Sequence, residues 1–369
     1  MIGDQLDPCG KLSAPVYDLI GSVYHQVEKK EPWCTGAKAV TEIGILAPKG
    51  FYSGSHLDLP DSLLGAVKML EDRSYQFDII DEFSDFSRYS LLLLPDEVEI
   101  SQKLESRLHA YIAQGGTVVA SYESGLQPDS TMRFIPARPL PEQTRDLDGN
   151  FVRGKFYVSN NYADYLIPKG EIGAGLPETE HVMYAKGLEV QATNGSEVLL
   201  PAISSCFNRD WRHFCSHRQT PSSGQPSYDA VIRQGNTIYF AHPIFKIYQE
   251  RGAKWCKTLL FNALDMLLPH RLVTHQGPTT LHLYLNQQAS KSRYVLHALH
   301  YIPLHKSSID IIEDIIDLYD ITVQIQVPYT VKSVKCAPSG EVLSFTQQDN
   351  TVQFTIPKIH GHEMVELCY

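Results

Sequence analysis

The chain has 369 residues, 43% of them hydrophobic and 20% charged, and carries a formal net charge of −10 at pH 7. That length is a prior for two or three domains of ~100–200 residues, and the composition holds enough apolar side chains for real cores. An acidic chain has no general attraction for phosphate backbones or anionic lipid, and no apolar stretch approaches the ~20 residues that span a bilayer, so nucleic acid and membranes are excluded as default partners.

The first residues, "MIGDQLDPCG", form a polar, turn-rich loop without the basic and apolar regions of a signal peptide. The seven cysteines, Cys9, Cys34, Cys206, Cys215, Cys256, Cys336 and Cys368, are odd in number and contain no CxxC pair. They read as reduced thiols in a cytoplasm, with neither a metal site nor a disulfide framework expected.

Residues 13–30 are predicted as a helix, with Ser13 as cap and Pro15 in the first turn. Val16, Leu19, Ile20, Val23 and Val27 fall on one stripe, and "EPWC" is expected to break the helix. From about residue 38 the pattern is α/β. "EIGILAP" reads as a buried strand, "DSLLGAVKMLEDRSYQ" as a helix with Leu63, Leu64, Val67 and Leu70 inward, and "FDIIDEFSDFSRYSLLLLPD" as two strands. "SQKLESRLHAYIAQGG" is the next helix and "GTVVASYESG" the next strand. Continuously apolar strands alternating with helices argue for a parallel sheet covered on both faces, whose ligands gather beyond the carboxyl ends of the strands. Residues 125–230 are less regular. "NTIYFAHPIF" is then read as a strand ending at a turn, and "GAKWCKTLLFNALDMLLP" as a closing helix. From about residue 271, segments such as "TTLHLYLNQQ", "SRYVLHALHYI" and "TVQFTIPK" alternate apolar and polar residues, as antiparallel strands with one buried face do. "IDIIEDIIDLYD" fits either a helix or a strand pair.

The opening loop and helix "GDQL…P.G.L…VY.LIG.VY..VE..EPWC", the strand "GGTVVASYESGL" and the ending "GH.MV.L" together resemble the C-terminal half of bacterial glycoside hydrolases related to β-galactosidases with a trimerisation domain, in particular the α-L-fucosidase group carrying that domain. The resemblance implies a flavodoxin-like (class I glutamine amidotransferase-like) parallel-sheet domain over 38–270 and a small antiparallel β-sandwich over 271–369. Residues 1–37 become a helical lead-in from a (β/α)8 barrel that is not among these residues. It implies a homo-oligomer, trimer or dimer, working with the catalytic barrel of the parent enzyme on α-L-fucosides or β-galactosides. No cofactor is implied. The two carboxyl groups of glycoside hydrolysis are supplied by the barrel in these enzymes, so no catalytic residue is expected in this chain.

Asp4 lies on what resembles the barrel's last loop; a carboxylate accepting loop N–H groups stands ahead of the reading in which it lines the sugar pocket. "RDWRHFCSHRQTP" gathers Trp211, Arg212, His213, His217 and Gln219. Trp offers an apolar face to a pyranose, and Arg, His and Gln offer hydrogen bonds to its hydroxyls, so these residues are candidate substrate contacts reaching a neighbouring barrel. A loop packed by its aromatics at a domain or subunit interface competes with that reading and stands ahead of it. Metal binding by the same stretch is disfavoured, because Arg209, Arg212 and Arg218 repel a dication.

Two rivals remain. A self-sufficient amidotransferase-like or esterase-like hydrolase would need a nucleophile at the end of "VVASYESG", where Ser121 and Ser124 stand, with His109 or His242 as base. A free-standing carbohydrate-binding module would expose Trp211 beside a groove.

Overall fold

The computed structural model describes residues 9–48, 59–140, 163–207, 215–217, 219–306 and 308–369. The chain divides into two compact units, one spanning Thr41–Leu272 and the other joining Met1–Val40 to Val273–Tyr369.

The first unit is built on a nine-stranded sheet. Five of its strands run parallel: Ile43–Leu46, Phe77–Ile80, Leu91–Leu94, Thr117–Ser121 and Thr237–Phe240. Numbered along the chain, they lie in the order 2-1-3-4-5. Their side chains are apolar on both faces, and Ile43, Ile45, Leu91–Leu94, Val118 and Val119 are all fully buried. That is what a sheet covered on two sides demands. Beyond Thr237–Phe240 the sheet continues antiparallel through Ser222–Gln234, Glu197–Ser205, Asp164–Leu166 and His181–Val182.

Helix Asp61–Glu71 buries Leu63, Ala66, Met69 and Leu70, while Leu64 and Val67 are only half-buried. The face turns because of Gly65: a Cβ there would meet the carbonyl oxygen of Phe245 at 2.0 Å, so the backbone of a second helix takes the space a side chain would fill. That second helix, Ile244–Arg251, occupies residues expected as a turn. Pro243 stands at its N-cap, and Ile244, Phe245 and Ile247 are buried. Helices Gln102–Ala113 and Lys254–Leu267 form as expected, the former capped by the Ser101 hydroxyl accepting from Leu104 N at 3.1 Å.

The second unit holds two antiparallel sheets. One has the order Lys38–Ala39, Leu281–Gln288, Arg293–His300, His362–Cys368, Ser333–Ala337, Val342–Leu343. The other runs Val273–His275, Leu318–Gln326, Thr351–Ile359, Phe345–Gln348. Alternate residues such as Leu281, Leu283 and Leu285 are buried, the period-two signature of a one-sided strand. "IDIIEDIIDLYD" is no helix: Asp310–Ile311 pairs with Leu304–His305, and a long strand begins at Leu318.

The opening helix runs Ala14–Cys34, with Pro32 inside it, so it ends later than "EPWC" suggested. Ser13 occupies the cap position without a side-chain cap bond. Pro32 has no N–H to give the helix, and its carbonyl, near the helix end, is taken by Arg293 Nη2 at 2.6 Å and Lys291 Nζ at 2.7 Å. The helix buries none of its residues; its last turn anchors it through Trp33, which packs on Val295, Ala337 and Met364. All seven cysteines are unpaired. Among the described residues no helix is long and apolar enough to cross a membrane.

Candidate functional site

The carboxyl ends of the parallel strands open into a cleft of about 1150 Å³. Leu46, Ala47, Val98, Ile100 and Leu126 give it an apolar floor, and Asp81, Glu82, Glu97, Glu99 and Glu123 an acidic lining. Sheets of this kind hold ligands at this edge, often phosphates, but five carboxylates oppose an anion here. Asp81 accepts from Ser84 Oγ at 2.7 Å, Ser84 N at 2.8 Å and Phe83 N at 3.0 Å. These bonds, the Ser84 hydroxyl foremost, hold its carboxyl below the usual carboxylate range.

The "VVASYESG" segment ends beside this cleft, and its serines are committed to structure. Ser121 Oγ donates to Asp96 Oδ1 at 2.6 Å and accepts from Asp96 N at 2.8 Å. Asp96 Oδ2 accepts from Lys246 N at 2.9 Å, in the first turn of helix Ile244–Arg251. Burial pushes the Asp96 carboxyl up to about 7, against the pull of Ser121 and the Lys246 amide. Ser124 Oγ accepts from Val98 N at 3.2 Å and donates to Leu94 O at 3.0 Å. Both serines are fully buried. The residue at the sharp turn, with φ of 50°, is Tyr122. His109 packs edge-on against Phe134, and His242 bonds elsewhere. A nucleophile needs a base and an approach path; at this turn the hydroxyls face a carboxylate and a carbonyl inside the core.

His242 belongs to a second buried polar cluster that sequence reasoning did not find. Asp164 Oδ2 accepts from Tyr228 Oη at 2.5 Å and from Gly187 N at 2.8 Å, with His242 Nε2 at 3.3 Å. A Cβ on Gly187 would lie 2.4 Å from Tyr228 Oη, so only glycine allows the backbone to approach. Next to it, fully buried Lys186 forms an ion pair with Glu189. Asp164, Tyr228 and His242 are 78 residues apart at the extremes and come from three different segments, so no spacing in the sequence announces them.

Of the expected sugar contacts, Asp4, Trp211, Arg212 and His213 lie outside the described residues. His217 and Gln219 sit on the connection between Glu197–Ser205 and Ser222–Gln234, His217 exposed and Gln219 half-buried. The connection is tied to the sheet where Tyr165 Oη donates to Thr220 O at 2.6 Å, next to Gln219. Among the described residues, no group of three or more His, Cys, Asp or Glu side chains could hold a metal ion.

A parallel sheet prolonged by antiparallel strands, followed in the chain by an antiparallel β unit, is a fold shared with solved glycoside hydrolases. Residues 56–161 match the β-galactosidase trimerisation domain, and the chain resembles the C-terminal portion of enzymes that carry it. An α-L-fucosidase isoenzyme 2 from Paenibacillus thiaminolyticus superposes over 99% of this chain with a TM-score of 0.86 and 31% identity, and 54% of the fucosidase is covered. A β-galactosidase from Bacillus circulans shares the fold at a TM-score of 0.59 and 13% identity, over 98% of this chain and 46% of its own. In sequence, a β-galactosidase from Clostridium perfringens is 28% identical over 149 residues, 38% of this chain and 21% of that protein. The chain thus spans about half the length of the structural relatives, and the curated match covers about a fifth of its relative.

Proposed function

We propose that these residues act as the non-catalytic, oligomerising C-terminal region of a glycoside hydrolase of the α-L-fucosidase or β-galactosidase kind, which turns over substrate only with its catalytic barrel. The observation that carries the reading is the trimerisation-domain match over residues 56–161. The strand order 2-1-3-4-5 supports a flavodoxin-like assignment for the parallel part of the sheet. The burial of Ser121, Ser124 and Asp96 supports a structural role for the only serines at the strand-end turn.

In this reading the region corresponding to 38–270 brings subunits together as a trimer or dimer, and 271–369 forms a small β-sandwich. The loop carrying Trp211, Arg212, His213, His217 and Gln219 closes a neighbouring subunit's sugar pocket, and Asp4 lines that pocket when the barrel is present. Seven unpaired cysteines suit a reducing cytoplasm. The purified 369-residue chain, assayed with aryl α-L-fucosides and aryl β-D-galactosides, is expected to show no turnover above buffer; an enzyme-like rate contradicts the proposal.

A further inference from the structure

We propose that the β unit carries its own sugar-binding platform, a stacked tyrosine pair that takes a pyranose ring on the outer face of Tyr329. Tyr329 and Tyr369 lie face to face with ring centroids 4.1 Å apart and an interplanar angle of 8°. Tyr294 backs Tyr369 at 5.4 Å and is itself buried. Tyr329 is nonetheless 44% exposed. Tyr369 therefore covers one face of the ring, while close to half of the Tyr329 surface stays accessible.

The platform is held rigid. The segment following strand Leu318–Gln326 is pinned where Val327 N donates to Asn350 O at 2.8 Å and Lys332 N donates to Cys368 O at 2.8 Å. Between those points Gln347 clamps it twice, accepting from Val331 N at 2.9 Å and donating to Tyr329 O at 2.9 Å. A tyrosine fixed this way loses little conformational freedom on binding, which is how aromatic contacts gain affinity. Polar groups lie at the edge of the pair, where Gln287 Nε2 donates to Tyr369 Oη at 2.9 Å.

An aromatic face bordered by phenol and amide groups fits a molecule that is apolar on one side and hydroxylated at its edge, and a pyranose is such a molecule. Rings of galacto configuration, D-galactose and L-fucose alike, turn the C–H groups at C3, C4 and C5 to one face and so present the larger apolar patch. That choice of ring rests on the proposed glycosidase reading; the platform itself does not.

Titration of the full chain with methyl β-D-galactopyranoside, methyl α-L-fucopyranoside and methyl β-D-glucopyranoside, followed by calorimetry and by saturation-transfer NMR, tests the proposal. The expected result is millimolar binding of the first two and weaker binding of the glucoside. Tyr329→Ala should weaken binding roughly tenfold, and Tyr329→Trp should keep it. Thermal melts separate this from misfolding: Tyr329→Ala should melt cooperatively only a few degrees lower, for loss of one aromatic stack worth about 1 kcal/mol, and Tyr329→Trp close to the parent. No binding of any of the three, binding that survives Tyr329→Ala, or preference for the glucoside overturns the proposal. Each of those results leaves the aryl-glycoside assay and the subunit count untouched.

Discussion

The Ser121 hydroxyl and the Asp96 carboxylate form a reciprocal pair, Oγ to Oδ1 at 2.6 Å and Asp96 N back to Oγ at 2.8 Å. Asp96 takes φ of 48° to make it, and its second oxygen receives the amide of Lys246. One buried carboxylate thereby joins two adjacent strand ends to the first turn of helix Ile244–Arg251. Ser121→Ala leaves a buried acceptor oxygen and a backbone N–H without partners. It is expected to destabilise the chain by about 1–3 kcal/mol in denaturant titration. A variant as stable as the parent would remove this account of the pair.

The contact of Gly65 with the Phe245 carbonyl gives a second expectation. The three nearest atoms all belong to the Phe245 backbone, so a methyl group can be accommodated only by separating two helices. Gly65→Ala should cost about 3 kcal/mol, although in an exposed helix the same change is stabilising. A rise in melting temperature would show that the two helices are not packed this closely.

Much of the architecture was legible for simple reasons. "LLLLP" and "TVVAS" are too apolar to be anything but strands covered on both faces, and the alternation in "LHLYLNQQ" marks a one-sided strand. Helix Ile244–Arg251 was not legible, because "AHPIF" carries a proline that suits a turn as well as a helix start, and the Asp96 carboxylate that takes the Lys246 amide in its first turn is distant in sequence. The stripe of Val16, Leu19, Val23 and Val27 predicts a helix, and a helix forms, yet all four are exposed. Periodicity gives a face and not its partner. Asp164, Tyr228 and His242 were invisible for the same reason: their meeting is a product of the fold.

The anchoring of the opening helix yields a third expectation. Trp33 Nε1 donates to Glu366 Oε2 at 2.7 Å, and Arg293 reaches the same carboxylate at 2.7 Å while lying 5.3 Å from the indole centroid. Trp33→Ala removes the packing and the bond together and should release the helix without unfolding the sheets. Limited proteolysis within 14–34 should accelerate by at least about tenfold. Unchanged cleavage would mean that the helix is held elsewhere.

The histidines of the β unit and the buried carboxyls of the α/β unit should respond to acid with opposite signs, with Glu363 of the β unit, raised by burial, partly offsetting its histidines. His362 Nδ1 lies 2.9 Å from Lys30 Nζ and its Nε2 lies 3.1 Å from His297 Nδ1. Burial first, then Lys30 and His297, push the His362 imidazole down to about 4, and burial and Lys30 lower His297. Unfolded histidines take up protons near 6.5, so the β unit loses stability as pH falls from there through about 4. In the α/β unit, burial raises Glu42 and Asp96 to about 7. Their contribution is complete below the ordinary carboxyl range and is lost as pH rises through 7. Hydrogen exchange at pH 7.5 and 5.5, corrected for intrinsic rates, should show protection falling in 273–369 and rising in 41–272. Parallel changes in both units would contradict this assignment.

The most direct test of the central claim is the mass of the particle in solution. Sedimentation equilibrium of the purified chain, over a wide concentration range, is expected to give a trimer, or failing that a dimer, that persists on dilution. A monomer at the highest concentration reached would contradict an oligomerising role for these residues.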